Sequence, residues 1–283
     1  MPAKHVIQYA CEWLASGTSL GAKRISQSQR APDAELHLLF ARGKRPDRSA
    51  IGAFVTRWPS VRISHDPSDS EAPHDEALWP GQQHWLELLR NGLTFDLSGL
   101  APGPESPFPE IAHRFDLTEL PMPDEYEVMT LRPGPHLAAS GNSLPVIRIM
   151  LALACDMVRH FDQIAAVGWA PAQTAIGRRF FESVTASWLD GGPFPALGLT
   201  AFIETADAAL QSAGLSFWIG QELRIEPPLS ADRVAATRLA IRLINHLVLA
   251  GGLAADEQIT APDGTRLALR SSSDRTIISV WRE

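Results

Sequence analysis

The chain is poor in cysteine, in basic charge and in long apolar runs, and each shortage removes a class of function. Two cysteines, Cys11 and Cys155, are present, too few for a disulfide framework or, alone, for a thiolate zinc site. Both fall among apolar neighbours in segments that read as helices, so reduced, buried thiols and a cytoplasmic location are expected. No stretch approaches the roughly 18 uninterrupted apolar residues of a transmembrane helix. Residues 1–15 carry Lys4, His5 and Glu12 with no clean apolar run, so no secretory signal is expected there. Lys and Arg number 25 against 32 Asp and Glu, a formal charge of −7, which argues against a general binder of nucleic acid or of an anionic membrane. The chain has no phosphate-binding P-loop, no dinucleotide fingerprint and no serine-nucleophile elbow, so no cofactor is expected.

What is present suffices for a packed core. Apolar residues make up 45 % of the 283 and charged residues 20 %, and the length fits one large or two small domains. Val6, Ala10, Trp13 and Leu14 recur at helical spacing. Residues 36–40 (Leu-His-Leu-Leu-Phe) read as a buried strand. Asp47 is placed to cap a helix with Ile51, Phe54, Val55 and Trp58 on one face, and residues 61–64 return as a strand. This is a β-α-β unit, most simply with parallel strands. An acidic loop over 66–83 follows. Residues 84–98 form a hairpin, because Asn91-Gly92 supplies the two left-handed positions of a type I′ turn. That turn sets Leu88 opposite Phe95 and Leu86 opposite Leu97 on an apolar face, with Leu89 opposite Thr94 and Glu87 opposite Asp96 on the other. Six prolines between 101 and 125 read as a linker between lobes.

The second lobe opens with a strand over 126–131. A helix over 144–161 follows, with Ser143 as cap and Pro145 in its first turn, then a buried strand over 164–169 and a helix over 177–189. Residues 197–204 and the alternating segment 215–226 read as strands, the helix over 231–250 starts at a Ser230 cap and stops at Gly251-Gly252, and residues 265–270 and 276–281 pair at the end. The expected class is mixed α+β, with an N-terminal lobe (1–100), a proline-rich linker (101–125) and a C-terminal lobe (126–283). Each lobe reads as β-α-β followed by two strands, a shape compatible with a duplicated ferredoxin-like unit.

Few constellations carry chemistry. The cross-strand Glu87 and Asp96 pair is the weak metal candidate, against a solvated face or a bridging arginine. The His65, His74, Asp75, Glu76 and His84 group matches no compact ligand spacing and reads as an acidic surface loop. The loop 133–143 enters a helix N-terminus, where free N–H groups favour an anion. His136, Asn142 and Ser143 are its ligand-binding candidates, with Glu204 and Glu222 as a conceivable acid/base dyad if their strands pair. Arg178-Arg179 and Arg238 with Arg242 are basic pairs, read first as partners of the excess carboxylates. Among eight tryptophans, Trp13, Trp58 and Trp169 read as core, and Trp79, Trp188, Trp218 and Trp281 as partner-facing.

From about Tyr126 onward the chain resembles a bacterial family called domain of unknown function 4261. The resemblance is carried by residues 164–169 after a long helix, by Gly198-Leu199-Thr200-Ala201-Phe202, and by Gly214-Leu215 through Gly220-Gln221-Glu222-Leu223. It implies an α+β fold and a bacterial cytoplasmic setting, and brings no catalytic residues with it. The expected function is that of a non-catalytic interaction or regulatory protein whose partner is another protein, with no membrane or nucleic-acid partner and with homo-oligomerisation open. The alternative is a small-molecule or anion-binding enzyme with its site in an inter-lobe cleft near His136 to Ser143, which requires His136, Asn142, Glu204 and Glu222 to converge.

Overall fold

The computed structural model describes residues 33–67, 84–137, 140–141, 143–261 and 263–283. The expected helix around Val6 to Leu14, Cys11, the loop residues 68–83 including Trp79, and Asn142 lie outside them. The described residues divide into two compact units, Asp33–Leu199 and Thr200–Glu283. Each has its own mixed sheet, so the class is α+β as the sequence implies.

In the first unit, β1 (Leu36–Ala41), α1 (Arg48–Arg57) and β2 (Val61–His65) form the expected crossover. Asp47 caps α1 by accepting the Ala50 N–H at 2.8 Å. The hairpin of β3 (Trp85–Arg90) and β4 (Leu93–Ser98) has the register that its turn dictates, with Leu88 opposite Phe95 and Glu87 opposite Asp96. Asn91 (φ 50°) and Gly92 (φ 79°) supply the two left-handed residues. Then come β5 (His113–Phe115), β6 (Tyr126–Pro133), α2 (Leu144–His160), β7 (Ile164–Trp169), β8 (Thr174–Gly177), α3 (Arg178–Leu189) and a short kinked turn, α4 (Ala196–Leu199). The eight strands lie in the order β2-β3-β4-β6-β1-β7-β8-β5. Strands β1 and β2 therefore point the same way but are not neighbours, since β6, β4 and β3 stand between them.

The division into lobes at the prolines does not hold. β1 is hydrogen-bonded on one side to β6 and on the other to β7, so strands from before and after the prolines share one sheet. The proline-rich segment is a strap across that sheet. It leaves β4 at Ala101, whose N–H donates to Pro46 O at 3.1 Å, and its Ser106 N–H donates to Val128 O at 2.9 Å. Pro109 packs 3.6 Å from where a Cβ on Gly168 would stand. Residues 113–115 then become β5, parallel to β8 at the edge. Proline suits such a strap, because it has no N–H to leave unsatisfied over the sheet.

The strap and the helices lie on opposite faces. Leu36, Leu38 and Phe40 of β1, Leu86 and Leu88 of β3, Phe95 and Leu97 of β4, and Val167 and Trp169 of β7 are fully buried. α2 packs on β4 and β6, and α3 on β7 and β8. Phe54 of α1 joins the same layer, 5.4 Å from the His160 ring and 5.9 Å from the Phe161 ring at the end of α2. Each such side chain contributes about 1.5–3 kcal/mol by leaving water. The other face is polar in the β3-β4-β6 region: Glu87, Thr94, Asp96, Ser98, Thr130 and Arg132 share it by the strand registers, and His37 of β1 lies opposite Thr130.

The second unit contains β9 (Ala201–Glu204), β10 (Leu210–Ala213), α5 (Ser216–Ile219), β11 (Glu222–Ile225), α6 (Arg233–Ala250), β12 (Glu257–Thr260), β13 (Arg266–Ser271) and β14 (Ile277–Arg282). Its order is β12-β13-β14-β11-β10-β9, unlike that of the first sheet, so the two sheets do not repeat one strand order. Three local expectations change here. The alternating segment 215–226 is broken by α5, because Gly214 (φ 85°) and Gly220 (φ 75°) turn the chain out of the sheet on either side. Residues 197–200 are not strand, since Gly198 (φ 103°) kinks α4 against Ile176. Asp232, not Ser230, caps α6 by accepting the Val234 and Ala235 N–H groups at 3.0 Å, while the Ser230 hydroxyl donates to Ala208 O at 2.7 Å. Among the described residues no helix is long and apolar enough to cross a membrane.

Candidate functional site

The polar face of the first sheet gathers ionisable groups in one row. Glu87, Asp96 and Arg132 are consecutive cross-strand partners on β3, β4 and β6. Glu35, one residue before β1, continues the row, since its neighbour Leu36 is opposite Leu131. Neighbours in such a row are about 5 Å apart at Cβ, close enough for their charges to act on one another.

Asp96 is the least satisfied member. It is only 6 % exposed. Its Oδ2 lies 3.6 Å from Arg132 Nε, while its Oδ1 is buried and has no hydrogen-bond partner among the described residues. Burial raises the Asp96 carboxyl above the ordinary range, Arg132 works against that shift and Glu87 adds to it. Burial likewise raises Glu35, again opposed by Arg132. Glu87 Oε1 accepts the Ser64 hydroxyl at 2.7 Å. Arg132 keeps 54 % of its side chain exposed beside a carboxylate that is nearly buried.

Two histidines border the row. His37 Nδ1 lies 3.1 Å from Thr130 Oγ1, and its Nε2 is 3.8 Å from a Glu35 oxygen. Burial pulls its pKa down to about 4, so it is neutral at physiological pH. His136 stands in the short turn after β6 and shares a hydrogen bond with the Thr94 hydroxyl through Nε2. Gly134 makes that meeting possible: its N–H donates to Thr94 O at 2.9 Å, and a Cβ there would come 2.7 Å from Thr94 Oγ1.

The chain matches no protein-family model, no curated protein and no solved structure.

The residues proposed from sequence fare differently from one another. His136 joins the polar row, though through Thr94 and not through the expected anion loop. The N–H groups of Leu137, Ser140 and Ser143 each donate to the carbonyl three residues earlier, at 2.8–2.9 Å, so these three are engaged within the loop itself. Ser143 is the N-cap residue of α2, but its side chain makes no cap bond. Glu204 and Glu222 belong to the other unit and form no dyad. Glu204 lies opposite Leu210 at the start of β10 and is ion-paired with Arg233. Glu222 turns to the far end of β10, where it accepts the N–H groups of Gly214, Leu215 and Ser216 at 3.0–3.2 Å together with the Ser212 hydroxyl. It therefore caps α5 from the first residue of the strand that follows it, a structural duty.

Trp188 is no partner surface. It is 5 % exposed, edge-on to Phe194 at 5.6 Å, with the Arg148 guanidinium 4.5 Å above its ring. Trp218 is half-buried against Phe217, and Trp281 is 42 % exposed. Arg178 closes the end of α2, donating to Val158 O at 2.8 Å and to Asp162 Oδ1 at 2.7 Å. Cys155 is a buried free thiol, pushed up to about 12 by burial, so it is not a nucleophile at neutral pH. Glu87 and Asp96 gain no third metal ligand: among the described residues no group of three His, Cys, Asp or Glu could hold an ion.

Sequence reasoning missed Arg132, Glu35, His37 and Thr130. Their signal was alternation, with Thr130 and Arg132 interleaved with Met129 and Leu131, and Glu35 and His37 interleaved with Leu36 and Leu38. That pattern places them on a polar face. Which strands lie side by side is not written in it.

Proposed function

We propose that this is a non-catalytic recognition protein that binds a small polar ligand on the β3-β4-β6 face, around Asp96 and Arg132. One observation carries the reading: a nearly buried carboxylate with an orphan oxygen beside a half-exposed guanidinium. A buried acceptor left without a donor costs about 1–3 kcal/mol, and such costs persist where a ligand supplies the missing partner. A regulatory role at the level of small-molecule sensing follows from this reading. The buried free thiol of Cys155 supports placing it in a reducing cytoplasm.

Native mass spectrometry of the protein, purified gently from its own cells, tests the reading together with the stability of Asp96→Asn. The expected result is a retained small mass, lost in Asp96→Asn, and a ligand-free variant about 1 kcal/mol more stable than the parent, because the fold disfavours the charge that the amide removes. A bare parent spectrum together with a destabilised variant would mean that Asp96 serves the fold, and would overturn the proposal. Retention of a second protein instead of a small mass would overturn it in favour of a partner-binding role, for which the exposed Trp281 is a candidate anchor.

A further inference from the structure

We infer that the ligand is a free α-amino acid, its ammonium group held by Asp96 and its carboxylate by Arg132; the inference rests on the ligand-binding reading above and names the chemistry of that site. Asp96 Oδ1 is the independent sign of a missing donor: it belongs to a side chain more than nine-tenths buried, on the polar face, and no described group reaches it. The donor that fits a buried carboxylate oxygen is a charged N–H, whose hydrogen bond is roughly twice as strong as a neutral one.

Arg132 supplies the opposite half. Its one ion pair among the described residues runs through Nε to Asp96 Oδ2, and its side chain is half exposed. A guanidinium bound on that edge keeps its outer fork for a planar anion such as a carboxylate. The two side chains are cross-strand partners, with Cβ atoms about 5 Å apart and Asp96 Oδ2 lying 3.6 Å from Arg132 Nε, so the carboxylate and the guanidinium adjoin. A ligand must therefore carry its cation and its anion within a few bonds of each other. An α-amino acid does so, whereas a linear diamine or a dicarboxylate carries two like charges and leaves one half of the site unmatched.

The surroundings narrow the class further. Glu87 and Glu35 flank the pair on either side, so the row is anionic in sum. These two further carboxylates would repel an acidic side chain, while a neutral one would not be repelled and a basic one would be attracted.

Isothermal titration calorimetry on the full chain at neutral pH tests the inference with L-leucine, L-lysine and L-glutamate. Cadaverine, which lacks the carboxylate of lysine, and ε-aminocaproate, which lacks its α-ammonium, are the controls. The expected result is saturable binding of leucine or lysine, with glutamate and both controls weaker by at least about tenfold. Asp96→Asn and Arg132→Gln, each checked for an unchanged circular dichroism spectrum, are expected to weaken the binding amino acid by a similar factor. Binding of ε-aminocaproate equal to that of lysine would remove the role of Asp96, and equal binding of cadaverine would remove that of Arg132; either overturns the zwitterion. No heat with any amino acid, while native mass spectrometry still shows an Asp96-dependent small mass, would overturn the ligand class and leave the ligand site standing. Loss of both signals would overturn the site as well.

Discussion

His37 is the residue with the clearest consequence for solution behaviour. Its environment is Thr130 at 3.1 Å, Glu35 at 3.8 Å and the strands β6 and β7 on either side of β1. Burial depresses its pKa to about 4 from 6.5. The native state thus resists a proton that the unfolded chain accepts readily. The neutral form contributes its full stability above about pH 6.5, and that stability is lost as pH falls through the window down to about 4, up to about 3 kcal/mol. Glu35 and Asp96 act in the opposite sense: their raised pKa values mean that acidification relieves the burial of two charges. Urea unfolding across this window is expected to show a steeper loss in the parent than in His37→Asn, whose amide can keep the bond to Thr130. Equal slopes would mean that His37 is accessible to protons in the fold.

At the scale of elements, carboxylates decide where chain segments begin and turn. Asp47 and Asp232 cap α1 and α6 from within their own sequence neighbourhood, as short polar side chains do at helix starts. Glu222 does the same for α5 from the first residue of β11, the strand that follows it, and so holds the helical turn that Gly214 and Gly220 open in the alternating segment 215–226. Glu222→Ala removes the acceptor of three N–H groups and of the Ser212 hydroxyl, so a loss of about 2–3 kcal/mol is expected in chemical denaturation. Glu222→Gln, which keeps one carbonyl oxygen in place, is expected to lose about half of that. A change below about 0.5 kcal/mol in Glu222→Ala would show that water replaces the carboxylate without penalty. Arg178 plays the complementary part at the other kind of helix end, covering the Val158 carbonyl in the last turn of α2 with two donors.

For the whole molecule, the position of the division between units is the testable point. β1 needs β6 and β7 on its two sides, and the turn at Gly198 and Leu199 receives the Thr174 hydroxyl and the Trp169 indole N–H. A chain truncated to residues 33–199 is therefore expected to fold, with a cooperative thermal transition by circular dichroism, whereas one ending at residue 100 is not. A folded chain ending at residue 100 would contradict the eight-stranded sheet. The sequence by itself determined much at short range: the Asn91-Gly92 hairpin and its register, the Asp47 cap, the spans of α2 and α3, and the terminal pair β13 and β14. These follow from side-chain period, turn conformation and capping, which act within about ten residues. The tertiary structure alone decided that β3, β4 and β6 come between β1 and β2, that the prolines form a strap and not a linker, and that Arg132 and Glu35 meet Asp96. Strand order depends on which apolar faces close over one core, and alternation along a strand specifies a face without specifying a neighbour. The candidate site was legible only as the Glu87 and Asp96 pair, because a hairpin is local, and its cation comes from a strand 36 residues further along the chain.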